Sequence, residues 1–328
     1  MDNYYNHYFD PDYFSKKEAQ KKEIKTLGLY VGFALICQIV LQNIFSFGIE
    51  ITGLADKYLS DGIFQNCADI IIVFISLLLP FYFIGKKMKA VSGTDDPIPL
   101  GKTTDGITLI LSVVAGIGMC MLANIATTYL TVIMSVFGLE LTSPDIPMPG
   151  GITGVITSIM RIVIVAAVAE ELTLRGYVMG NLRKYGDKFA VFVSAVVFAL
   201  MHGNLIQTPF ALIAGFAIGY FTVKTGTLWT GIAIHAANNF ISTAISYAME
   251  YFSEEAVSLL YSVVLYGFII FGVISIWLLK SRKTFSLRED ILGTPMREKA
   301  GAFFLNPAML IALGYMIYIT TKFVGFKF

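Results

Sequence analysis

An all-α fold, a helix bundle that crosses a membrane about eight or nine times, is predicted by three observations: apolar excess, scarcity of charge, and recurring long apolar runs. Of 328 residues, 56% are hydrophobic and only 14% charged, and mean hydropathy is +0.70. A soluble domain of this length carries about 25% charged residues. Runs near the length a helix needs to span a bilayer, about 20 residues, occur at 27–48, 67–85, 106–137, 152–179, 188–204, 207–224, 227–249, 257–280 and 302–323.

Taken in order, residues 1–26 form a polar, tyrosine-rich tail. It ends in the basic stretch from Lys16 to Lys25 and is expected to lie in the cytoplasm, as a juxtamembrane segment or a surface helix. It lacks the short apolar core and small-residue cleavage site of a signal peptide, so the first apolar helix is expected to act as an uncleaved anchor. The runs within 27–142 make an N-terminal group of spans, of which 106–137 is long enough to be tilted or broken. Two linkers interrupt them: 91–105, which is polar and turn-rich, and 143–151, where three prolines remove backbone donors and stop a helix. Residues 150–250 form a core that holds the intramembrane charges, and 251–328 a C-terminal group. The fifth and sixth runs are short and close together, which suits a re-entrant or tilted hairpin as well as two full spans.

Orientation follows from lysine and arginine in the short loops. Basic residues cluster before the first span, at Lys86–Lys89, at Arg183, Lys184 and Lys188, at Lys224, and at Lys280–Lys283. The alternate loops carry Glu50, Asp56, Asp61, Asp145, Glu250, Glu254 and Glu255, with Lys57 as their one basic residue. This pattern puts the N-terminus in the cytoplasm and the C-terminus outside, with the plasma membrane as the expected location. A net charge of +1 gives no general attraction to nucleic acid. The cysteines (Cys37, Cys67, Cys120) are widely spaced and suggest neither a disulfide framework nor a zinc–thiolate site.

The most informative residues are Glu170-Glu171-Leu172-Thr173-Leu174-Arg175, inside the fourth run. Charge at such depth costs at least about 2.5 kcal/mol per residue. On an α-helix Glu171 and Arg175, four apart, share a face and can pair, while Glu170 points about 100° away with its carboxylate free. Arg161, on the same run, receives no role. Later runs supply Phe198 and His202 one turn apart, and His235 and Asn239 one turn apart, with Asn238 pointing elsewhere. A glutamate and an imidazole can position and deprotonate water. A neutral histidine and an asparagine amide can donate to an oxyanion.

Three motifs therefore follow in order within apolar runs: Glu-Glu-x-x-x-Arg at 170–175, Phe-x-x-x-His at 198–202 and His-x-x-x-Asn at 235–239. Together they resemble the CAAX-protease and bacteriocin-processing family of membrane-embedded proteases, over about residues 150–250. The resemblance implies an intramembrane endopeptidase without a serine or cysteine nucleophile. Glu170 would activate water, His202 would orient it, and His235 with Asn239 would stabilise the oxyanion. Glu171, Arg175 and Phe198 would support them. It implies a peptide or lipidated-protein substrate, with membrane lipids as surroundings. No cofactor is expected. Two histidines and a glutamate suit zinc, but the His-Glu-x-x-His arrangement of helix-borne metalloproteases is absent.

Other readings remain open on sequence. A single intramembrane histidine or asparagine also serves as a helix–helix contact, and Gly215 and Gly219 form a small-residue spacing that suits bundle packing or oligomerisation. A catalytically silent scaffold or immunity-type protein of the same fold is one alternative. A proton-coupled transporter is another, weakened by the lack of repeated halves with matched broken helices.

Overall fold

Four helices begin at a side chain placed to accept from the orphan N–H groups of the first turn. Asp61 accepts from Ile63 and Phe64, Asp105 from Thr108, Ser253 from Ala256 and Asn306 from Met309. A computed structural model describes residues 12–94, 100, 105–282 and 287–326. The first eleven residues of the tail, most of the 91–105 linker and Lys283 lie outside the described residues.

In chain order the helices are α1 (Tyr13–Ile51), α2 (Ala55–Ser60), α3 (Gly62–Ser92), α4 (Gly106–Val136), α5 (Gly151–Tyr185), α6 (Asp187–Met201), α7 (Gln207–Thr225), α8 (Leu228–Tyr251), α9 (Glu254–Ser281), α10 (Met296–Phe304) and α11 (Pro307–Thr321). Strands β1 (Leu139–Leu141) and β2 (Val324–Phe326) pair antiparallel, Glu140 opposite Gly325, and tie the end of α4 to the end of α11. The described part of the tail does not form a separate surface helix. It is the beginning of α1, with Gln20 and Ile24 already buried. Helix α4 is continuous over 31 residues. Residues 142–150, with their three prolines, form no regular element before α5.

Among the described residues, five helices are long and apolar enough to cross a membrane, α1, α3, α4, α5 and α9, or six if α10 and α11, bent by 82°, count as one broken span. This is fewer than the eight or nine runs read from sequence. Helices α6, α7 and α8 occupy the expected stretches, but α6 has only 15 residues. Polar side chains dilute the apolar character of α7 and α8.

Helix α5 is the axis of the molecule, in contact with α3, α6, α7 and α8. Its regular winding is broken twice by wider π turns, at Ile159–Val165 and Leu172–Met179, on either side of the two glutamates. Helix α3 has a similar stretch at Phe74–Leu78, just before Pro80, whose missing N–H and ring clash disturb the preceding turn. The main core is built by α1, α3, α5, α6, α10 and α11, with Leu27, Phe81, Leu174, Phe189 and Phe303 fully or almost fully buried. Gly215 and Gly219 serve the packing of α7 on α6: a Cβ at Gly215 would lie 3.1 Å from the Ala195 Cα, and one at Gly219 would lie 3.1 Å from Val191.

The α6–α7 hairpin decides where the site sits. Fifteen residues rise about 22 Å, short of the roughly 30 Å hydrocarbon layer, so α6 alone is too short for a full span. Asn204, fully buried, holds the turn after α6: its amide donates to the His202 carbonyl (3.0 Å) and its Oδ1 accepts from the Gln207 N–H (2.8 Å). Read as a full span, the same stretch carries His202 to the far leaflet. The short hairpin keeps it beside α5.

Candidate functional site

Glu170 and Glu171 are neighbours with opposite environments. Glu171 is fully buried, and its Oε1 accepts from Arg175 Nη1 (3.0 Å) and meets His235 Nδ1 (3.0 Å). The pairing at a spacing of four survives the π winding that begins at Leu172. Arg175 also donates to the Gly215 carbonyl (3.3 Å), which joins α5 to α7. Glu170, 26% exposed, has no such partner; its Oε2 lies 3.9 Å from His235 Nε2.

A cavity of about 430 Å³ lies beside this pair, and Glu170, Phe198, His202, His235, Asn238 and Asn239 all line it. The structure thus brings the side chains singled out from three separate helices to one space. Asn238 corrects the expectation that it points away. The cavity is wide enough to meet two successive residues of α8.

The ring nitrogens are sorted by their partners. His202 Nδ1 is 2.8 Å from the Phe198 carbonyl, an acceptor only, so Nδ1 carries the proton and Nε2 is left for the cavity. The carboxylate of Glu171 sorts His235 in the same way, and the His235 Nε2 faces Glu170. The Phe198 ring sits among the three cationic or aromatic groups: its centroid is 4.5 Å from the Arg175 guanidinium carbon, 4.9 Å from His202 and 5.6 Å from His235. Asn239 donates one amide N–H to the Ile162 carbonyl (2.8 Å), in the first π stretch of α5, and among the described residues its second N–H has no partner.

The sequence reading missed the bond between Glu171 and His235, which depends on helix packing and not on spacing. Gly231 makes room for it: a Cβ there would stand 2.9 Å from Glu171 Oε2 and 2.6 Å from Thr222 Oγ1. It also left Arg161 unassigned. Arg161 pairs with Asp69 (2.6 Å) and donates to Asn66 (2.9 Å), binding α5 to α3 one residue from the carbonyl that holds Asn239. Among the described residues, no group of three or more His, Cys, Asp or Glu side chains is placed to hold a metal ion.

Residues 152–241 match the family model described as Rce1-like, type II CAAX prenyl endopeptidase. The matched segment carries all three motifs, so the resemblance read from them is borne out there, at the level of a CAAX-type membrane protease family. With its long apolar helices, the chain is an integral membrane protein. No curated protein and no solved structure matches it.

Proposed function

We propose that the protein is an intramembrane endopeptidase, and that Glu170, His202, His235 and Asn239 carry out the hydrolysis of a peptide bond in a membrane-associated or lipidated polypeptide. The observation that carries this reading is the approach of Glu170 Oε2 to His235 Nε2, 3.9 Å apart, on the wall of a cavity that His202 and Asn239 also line.

The four groups divide into acceptors and donors. A water in the cavity can give one hydrogen bond to the Glu170 carboxylate and one to the His202 Nε2 lone pair, which turns its own lone pair toward a bound carbonyl carbon. Glu170 takes a proton as the oxygen attacks. The oxyanion then needs donors: the free N–H of Asn239, and Nε2–H of His235. Because His235 Nδ1 is held against Glu171, Nε2 donates to the oxyanion only when both ring nitrogens carry a proton. When the tetrahedral intermediate collapses, the C–N bond breaks and the proton on Glu170 passes to the leaving amine. The products are a carboxylic acid and an amine, the acid then gives its proton to the amine, and Glu170 is restored as the carboxylate. Glu171 and Arg175 act on His235 by fixing its ring, and Asp69 and Arg161 support the α5 carbonyl that fixes Asn239. No metal takes part in this scheme.

The basic loops support a cytoplasmic N-terminus, and a plasma-membrane location belongs to the same reading. The decisive experiment is digestion of a membrane-peptide library by purified protein, with a Glu170→Gln arm and a chelator arm. Cleavage lost in the variant and retained with chelator is expected. Cleavage that requires added zinc overturns the metal-free scheme, and equal cleavage by the variant overturns the role of Glu170.

A further inference from the structure

A second cavity, of about 390 Å³, runs along α4 next to the first. Asn124, Gln207, Phe210 and Tyr261 line both, so the two cavities are neighbours that share a wall. The remainder of its polar lining is a row of threonines, Thr127, Thr128 and Thr131, on the face of α4 that carries Asn124. Residues at spacings of three, four and seven lie along one stripe of a helix. All of α4 is outside the matched segment 152–241.

This stripe is under-used. Thr127 Oγ1 is buried without a hydrogen-bond partner. Asn124 donates only a long contact to Met121 Sδ (4.0 Å), and Gln207 uses only its Oε1, as acceptor from Asn204. Among the described residues Tyr261 makes no hydrogen bond through its hydroxyl. Thr128 and Thr131 bond back to the carbonyls of Asn124 and Thr127, which leaves their oxygens able to accept. Such groups inside a bilayer are costly unless something polar meets them. A lipid tail supplies nothing. An extended polypeptide supplies a donor and an acceptor at every residue.

We propose that this threonine-lined groove on α4 is a docking site for an extended stretch of the substrate polypeptide, entered from the β1–β2 end and leading to Glu170. It rests on the protease reading above, and extends it by assigning where the chain flanking the scissile bond lies. From Asn124 to Thr131 is seven residues, about 10 Å of helix, which matches about three residues of extended chain. Recognition there is by backbone hydrogen bonds, so the site favours unfolded, extended segments and is tolerant of side-chain identity.

The test uses the full-length protein in lipid nanodiscs and a membrane-peptide library of graded length. A photo-reactive benzoylphenylalanine replaces Thr128 in the Glu170→Gln protein, and cross-linked species are identified by mass spectrometry. In parallel, kinetics compare the unsubstituted protein with Thr127→Val and Thr131→Val. Peptide cross-links are expected at position 128. The KM of longer members is expected to rise about three- to tenfold relative to shorter ones, the worth of a single hydrogen bond, with kcat little changed. Cross-links to lipid or water adducts only, while the library is still cleaved, overturn the groove and leave the protease reading intact. Peptide cross-links without cleavage by the unsubstituted protein support the groove and overturn the protease reading. Equal KM changes for short and long members also overturn the groove, because they mark a general packing defect.

Discussion

Two buried charge clusters, one at the α5–α6 connection and one in the middle of α5, behave in opposite ways. In the cluster below the connection, Lys299 donates to Asp290 (3.0 Å) and to the Tyr185 carbonyl (2.8 Å). Asp290 also accepts from Gln20 (2.8 Å), the Leu292 N–H (3.2 Å) and the Thr294 N–H (3.1 Å), and Thr294 donates to Gln20. Every strong donor and acceptor there is used. In the cluster on α5, Glu171 Oε2 and Arg175 Nε have no partner, and Glu170 makes only the 3.9 Å approach to His235. The fully paired cluster fastens α1, the end of α5, α10 and the segment before it together. An unsaturated one, beside a cavity, retains bonding capacity for a ligand. Completeness of hydrogen bonding, more than burial or charge, separates the two.

The comparison is tested most severely by removing the cation of each. Arg175→Met leaves Glu171 a buried carboxylate with His235 as its remaining partner and is expected to cost about 3–5 kcal/mol, seen as loss of folded protein in a detergent melt. Lys299→Met leaves Asp290 with three other donors, so a smaller loss, about 1–3 kcal/mol, is expected. Equal losses break the contrast. Gly231→Ala disturbs only the α5 cluster. Its methyl presses on Glu171 and Thr222, so a loss of about 1–3 kcal/mol from overpacking is expected together with about a tenfold fall in cleavage, about 1.4 kcal/mol of barrier. Unchanged cleavage with lowered stability separates the Glu171–His235 bond from the reaction.

The smallest effect is expected at a third, surface cluster. The Asp105 carboxyl is held down to about 2 by hydrogen bonds from Thr108 and by Arg282, against an ordinary 3.8. A lowered folded-state value means stability that is full above about pH 4 and is lost as pH falls toward 2. The melting temperature is therefore expected to decline slightly over that interval. The decline should be smaller in Asp105→Asn, and a larger decline in the variant contradicts this assignment.

Much of the bundle is legible in the sequence because its signals are local. Apolar length marks α1, α3, α4, α5 and α9, and proline marks the break at 143–149. Helical spacing plus the order of the motifs marks Glu170, His202, His235 and Asn239 as a set. Three features are not local and were hidden. The depth of His202 depends on α6 stopping at 15 residues, which hydropathy cannot distinguish from a full span. The Glu171–His235 bond depends on Gly231 leaving space between α5 and α8. The β1–β2 ribbon is three residues a side and pairs segments far apart in sequence, so no periodicity announces it. The tail was misjudged for another reason: its alternating lysines and glutamates suit a surface segment, yet Lys17 and Lys21 reach Glu298 on α10 and hold it as the first turns of α1.

The most direct measurement pairs cleavage of the peptide library with the melting temperature for Glu170→Gln. The side chain keeps its shape and loses only a charge that no protein group holds closely. The account predicts cleavage reduced by at least about a hundredfold, the scale of loss for a catalytic acid–base group, with a melting temperature equal to or above that of the unsubstituted protein. Retained cleavage, or a melting temperature that falls as far as that of Arg175→Met, contradicts it.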